Sequence, residues 1–192
     1  ERETIGLNWY FKNSKNHFKL NHTYYENSYY KIEFDYIDGF KPYYTNGIIK
    51  NYNYISLAIE HYIEVWNNIN NTNETGPIHG DFSIDNLIFK KNNVIIIDWE
   101  HFNDGDFPIG FDALNLIFEQ LWYAGSLFNS MKAINNLNKL LQSLKAKNFM
   151  NKIFYKSTLK NTIDFILANQ LIWSEKGLKL PILNFSKEQI YE

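Results

Sequence analysis

The sequence predicts an α+β fold, and three stretches carry that prediction. Near the start, His17 to Tyr25 and Tyr29 to Tyr36 are rich in aromatic and β-branched residues. Glu26-Asn27-Ser28 separates them, which predicts an antiparallel strand pair. Between Asn53 and Ile69 the residues Ile55, Ala58, Ile59, Tyr62, Ile63 and Trp66 recur at helical spacing and give one broad apolar stripe. The run His79 to Glu100 reads HGDFSIDNLIFKKNNVIIIDWE and holds two apolar runs, Leu87-Ile88-Phe89 and Val94-Ile95-Ile96-Ile97, around Lys90-Lys91-Asn92-Asn93. Apolar runs of strand length around turn-forming residues specify a β-hairpin, because a helix needs about ten or more periodic residues.

Composition narrows the class. At 192 residues the chain is long enough for one domain, or for one large domain and part of another. Its formal net charge is −2 with Lys and Arg scattered, so no broad basic surface exists for nucleic acid or acidic membrane. With 45% hydrophobic and 18% aromatic residues it is too apolar to be disordered, and tracts such as Asn67-Asn68-Ile69-Asn70-Asn71 reflect a biased genome. The absence of cysteine excludes disulfides, thiolate metal sites and cysteine nucleophiles, and fits a reducing cytoplasm, the expected location. No run of about eighteen apolar residues occurs, so no membrane-spanning helix is expected. No signal peptide is visible, but the chain begins with Glu1 rather than Met, and the expectation is that its native beginning lies upstream.

The remaining elements follow in order. Glu1 to Lys12 reads as the end of a helix anchored by Ile5, Leu7 and Trp9. Asp38-Gly39 breaks the second strand, and Asn67 to Pro77 reads as a polar linker in which Gly76-Pro77 stops any helix. After Glu100 the chain has loop character up to Gly110. Leu114, Ile117, Phe118, Leu121 and Trp122 then mark a helix face, with Asp112 placed near the N-terminus as a cap. Two further helices are expected, over 130–147 through Ile134, Leu137, Leu140, Leu141 and Leu144, and over 161–174 through Ile163, Ile166, Leu167 and Leu171. Pro181 ends the regular structure, and there is neither an internal repeat nor a Gly-rich phosphate loop.

The chemistry concentrates in the hairpin. A hairpin brings its ends together, so Asn86, just before the first strand, meets Asp98, just after the second, although twelve positions separate them. One carboxylate and one amide oxygen beside the loop carboxylate Asp81 suit a small, hard Mg²⁺ when phosphates supply the other ligands.

At these residues the sequence resembles the aminoglycoside phosphotransferase and choline kinase families, relatives of the protein kinases. His79-Gly80-Asp81, Asn86 and the closing Ile97-Asp98-Trp99-Glu100 match HGD-x4-N and the metal-binding IDWE or IDFE. The resemblance implies that Asp81 accepts the proton of a substrate hydroxyl while Asn86 and Asp98 hold Mg²⁺ on the phosphates of ATP. His79 is expected to be a structural hydrogen-bonder. The segment Tyr30 to Gly39 resembles the strand and hinge between the two lobes, with Asp35 where Glu is usual. By position the Asp35 carbonyl and the Ile37 amide would bond the adenine. Phe111-Asp112, Asn115 and Glu119 match the FD-x-x-N-x-x-x-E spacing of choline and ethanolamine kinases, although Asp112 is expected to brace the catalytic loop.

The fold so implied is protein-kinase-like. Residues 1–39 would be a remnant of the N-terminal lobe, with a helix, two strands and the hinge, and residues 40–192 the helical C-terminal lobe with the catalytic loop and metal site. The implied activity is transfer of the ATP γ-phosphoryl group to a small hydroxylated substrate such as an aminoglycoside, sugar or choline-like alcohol. Asp98, Glu100, Asp104, Asp106 and Glu119 suit a cationic substrate or, equally, form a solvated acidic loop. Trp122, Tyr123 and Trp173 are either core or a cation–π surface. The alternative is a non-catalytic kinase-like module that binds a nucleotide or a protein. No phosphate-gripping loop or strand Lys precedes the hinge, so the 192 residues alone are expected to be catalytically negligible, with Glu1 or Glu3 the partner of a missing Lys.

Overall fold

The computed structural model describes residues 2–15, 18, 20–26, 29–66 and 75–123, with positions 139, 142, 164, 167 and 168. Helix and strand are mixed, as the α+β expectation requires. The helices expected over 130–147 and 161–174 fall largely outside the described residues, as does the tail after Pro181.

Helix α1 spans Arg2–Asn13 and buries Gly6, Leu7 and Tyr10. Ile5, expected as an anchor, is half exposed, so the buried stripe runs one position further on. Gly6 explains the close approach: a Cβ there would meet the Cβ atoms of Trp99 and Phe102 at 2.8 Å. Strands β1 (Leu20–Glu26) and β2 (Tyr29–Phe34) pair antiparallel, with Thr23 opposite Ile32 and an irregularity between Leu20 and His22. The chain then runs without regular structure to Phe40, which exchanges backbone hydrogen bonds with Phe89 at 2.8 and 2.9 Å.

Helix α2 spans Gly47–Trp66. It starts earlier than the apolar stripe, since the 3₁₀ turn Tyr44–Asn46 already bends the chain and Gly47, at φ 57°, takes it into the helix. All six stripe residues are buried. Beyond it lies a departure from the sequence reading. Thr75–Ile78, which begins within the expected linker and ends one residue past it, is strand β3, and Asn103–Pro108, within the expected loop, is strand β6. The two pair antiparallel, Thr75 opposite Pro108 and Ile78 opposite Asn103. Neither alternates in hydrophobicity, and each is specified only by the partner that the intervening hairpin delivers.

That hairpin forms as expected. Strands β4 (Leu87–Lys90) and β5 (Asn93–Ile96) pair Leu87 with Ile96 and Phe89 with Val94, and Lys91 turns the chain at φ 56°. Helix α3 (Phe111–Tyr123) then packs on α2. Its start is fixed by Gly110, at φ 102°, whose carbonyl accepts from Leu114 N at 2.9 Å and whose amide donates to the buried Tyr62 hydroxyl at 3.0 Å.

The core is aromatic. Tyr62 stacks on Trp66 at 4.2 Å, Trp9 meets Trp66 at 4.9 Å, and Tyr10 stacks on Trp99 at 5.2 Å. Each ring removed from water contributes on the order of 2–3 kcal/mol. Together they fix α1 and α2 around the turn that carries Trp99. Among the described residues no helix is long and apolar enough to cross a membrane.

Candidate active site

The loop from His79 to Asn86 owes its shape to one glycine and to two carboxylates that hold its backbone from behind. Gly80 sits at φ 87°, and a Cβ there would come within 2.4 Å of the His101 carbonyl oxygen. Asp112 accepts from His79 N at 2.8 Å and from Gly80 N at 3.1 Å, one bond on each carboxylate oxygen. The expectation that Asp112 braces the loop matches this geometry. Its placement as a helix cap does not, because α3 already includes Asp112 and both oxygens point to the loop. Burial pushes its carboxyl up to about 7, against the pull of the two N–H donors. About two turns further along the same face of α3, Glu119 accepts from Ile84 N at 3.2 Å and is likewise pushed up to about 7, first by burial.

His79 is fully buried and engages backbone through both ring nitrogens. Asp81 N donates to Nδ1 at 3.2 Å, and the Nε2 proton goes to the Ile97 carbonyl at 3.0 Å. That pattern requires the neutral ring, and burial lowers its pKa to about 4. The ring also meets Trp99 edge-on at 4.6 Å. His79 thus ties the loop to the end of β5.

Asp81 is half-buried, and Asn86 is turned toward it: Asn86 Nδ2 donates to the Asp81 carbonyl at 2.9 Å and to its Oδ2 at 3.0 Å. Ile97 N donates to Asn86 O at 3.0 Å, which places Asp98 one residue beyond the point where the hairpin's ends meet. Asp98 is exposed and stands at φ 62°, a left-handed conformation that costs a non-glycine residue on the order of 1–3 kcal/mol. The next residue, Trp99, is buried and donates its indole N–H to Ile96 O at 3.1 Å.

The other sequence-derived residues are more dispersed. Asp35 is exposed and accepts from Asn21 Nδ2 at 2.9 Å, while Ile37 is partly buried against the core. Among the described residues neither the Asp35 carbonyl nor the Ile37 amide has a backbone partner. Glu100 is exposed, 3.3 Å from His101 Nε2. The Glu3 carboxyl is raised by burial and then by the negative charges of Asp98 and Glu100, so α1 brings this acid close to the end of the hairpin. Glu1, Trp173 and the side chains of Asp106 and Trp122 lie outside the described residues.

Sequence reasoning missed two contacts to this region. Lys41 Nζ donates to the Asp85 carbonyl at 2.9 Å, and the Tyr10 hydroxyl accepts from Ile96 N at 3.3 Å. An exposed Lys and a helical Tyr carry no signal of such roles. A cleft of about 210 Å³ lined by Arg2, Ile5, Phe102, Asn103 and Asp104 contains none of Asp81, Asn86 and Asp98.

The donor set fits a hard divalent cation. Asn86 spends Nδ2 on Asp81, which leaves Oδ1, and Asp98 offers an exposed carboxylate. Among the described residues no group of three His, Cys, Asp or Glu side chains is arranged to hold a metal, so this pair would need ligands from a phosphate. The chain matches no known protein family, no curated protein and no solved structure, and the reading of the site rests on its own residues.

Proposed function

We propose that this chain is a small-molecule kinase of protein-kinase-like fold, moving the γ-phosphoryl group of ATP to the hydroxyl of a small substrate. One observation carries the reading. Asn86 Nδ2 donates to Asp81, and Ile97 N, beside Asp98 in the chain, donates to Asn86 O, so Asp98 follows directly on a residue tied to that pair.

Asp81 is the proton acceptor in this reading. As the substrate oxygen bonds to the γ-phosphorus, its proton passes to the Asp81 carboxylate, and the bond from phosphorus to the β,γ-bridging oxygen breaks to release ADP. The Asn86 amide holds the accepting carboxylate in place. Mg²⁺, held by Asn86 Oδ1 and Asp98, would neutralise charge on the phosphates. The hinge expectation adds the Asp35 carbonyl and the Ile37 amide as adenine partners. Glu119, beside the loop on α3, supports a substrate that carries an amine.

Thermal unfolding with and without Mg²⁺ and ATP, in wild type and Asp98→Ala, tests the proposal. Ligand at about a hundred times its dissociation constant adds roughly 2.7 kcal/mol to the folded state. Wild type should gain this and Asp98→Ala should not. An unmoved Tm in wild type, or an equal rise in both, overturns the assignment.

A further inference from the structure

The two residues that precede Asp98 have all four backbone polar groups engaged, each by a different residue. Ile97 N donates to Asn86 O, and Ile97 O accepts from His79 Nε2. Ile96 O accepts the Trp99 indole, and Ile96 N donates to the Tyr10 hydroxyl at 3.3 Å. Three of these partners belong to the catalytic loop, the hairpin and its following turn. The fourth comes from α1, across 86 positions of sequence.

The Ile96 N–H points to the edge of β5 away from β4, where no strand pairs among the described residues. Tyr10 supplies the acceptor. It is fully buried, its ring stacks on Trp99, and its hydroxyl lies 2.9 Å from His61 Nε2 on α2. The phenolic oxygen thus accepts from Ile96 N and shares a hydrogen bond with His61 Nε2, whose Nδ1 lies 3.7 Å from Glu64 Oε2. The hydroxyl is therefore oriented from one side and receives the strand from the other.

We propose that Tyr10 is a positioning residue for Asp98. From α1 its hydroxyl holds the outer edge of β5, so the left-handed turn at Asp98 keeps one geometry, and cation affinity at Asp98 depends on a helix that does not touch the cation. The functional half of this inference rests on the kinase reading. The positional half does not. Groups that orient metal ligands typically change affinity 10–100-fold when removed.

The test uses Tyr10→Phe, which keeps the ring and deletes the oxygen, beside Ile48→Val, a buried methylene deletion at the far end of α2. Amide hydrogen exchange is read first. Tyr10→Phe should speed exchange at Ile96 at least ten-fold beyond any change in Ile48→Val. Binding of Mn²⁺ with a non-hydrolysable ATP analogue, followed by electron paramagnetic resonance, is read second, and its dissociation constant should rise about ten-fold or more in Tyr10→Phe alone. Unchanged exchange at Ile96 overturns the inference whatever the metal does. Faster exchange with wild-type Mn²⁺ affinity, or an equal loss in Ile48→Val, overturns the link to Asp98. A wild type that takes no Mn²⁺ with the nucleotide overturns the kinase reading and the functional half with it, while the exchange result still decides the positional half.

Discussion

Acid should loosen the loop from His79 to Asn86 through one residue, His79. Its ring accepts from Asp81 N and donates to Ile97 O, both inside the fold. A second ring proton would set N–H against N–H at Asp81. With a folded pKa of about 4 against an ordinary 6.5, the unfolded chain binds the extra proton first as pH falls. The sign follows: the contribution of His79 to stability is fully present above pH 6.5 and is lost as pH falls toward 4, by about 1.4 kcal/mol per unit and about 3 kcal/mol in all. Asp112 and Glu119 act in the opposite sense. Both are raised to about 7, so the fold holds protons that the unfolded chain has released, and their contribution declines as pH rises toward 7. The wild-type curve therefore mixes opposing slopes, and the readout is a difference. His79→Phe keeps a ring against Trp99 and abolishes the titration. At pH 7 it should be less stable by about 2–4 kcal/mol, from two buried backbone groups left without partners. Urea unfolding at half-unit steps should show that gap closing by about 3 kcal/mol between pH 6.5 and 4. A gap that stays constant, or an NMR titration of His79 near 6.5, would refute the closed loop around it.

Three other outcomes follow from the same geometry. Asp81→Asn preserves shape, including the Asn86 bond to the residue 81 carbonyl, so Mg-nucleotide binding should persist while phosphoryl transfer falls about 10²–10⁴-fold; near-normal turnover would place the base elsewhere. Asp112→Asn turns one of two acceptors into a donor facing a buried N–H and should cost about 1–3 kcal/mol, seen as a drop in Tm of about 2–4 °C per kcal/mol. Gly80→Ala must carry a Cβ at φ 87° into the His101 carbonyl, so calorimetry should record a loss beyond the ~1–3 kcal/mol of backbone strain, and an unchanged Tm would show that the loop has another conformation.

The sequence by itself determined what is local. The β4–β5 hairpin, the stripe of α2 and the closing bond of Ile97 N to Asn86 O depend on short-range rules, alternation around a turn or a 3.6-residue period, that a reader of residues applies directly. The tertiary structure decided what depends on distant partners. Strands β3 and β6 look like linker and loop because Thr75–Ile78 and Asn103–Pro108 have no pattern of their own and become strands only opposite each other. Asp112 reads from local pattern as a helix cap and from resemblance as a brace for the loop, and only its oxygens on His79 N and Gly80 N decide between the two. Tyr10 draws no notice in the sequence beside Ile5, Leu7 and Trp9, yet its hydroxyl joins α1, α2 and the edge of β5. A hydrogen bond between a side chain and backbone 86 positions away leaves no periodicity in the sequence, because only the packed core of Trp9, Trp66 and Trp99 sets the two groups within reach.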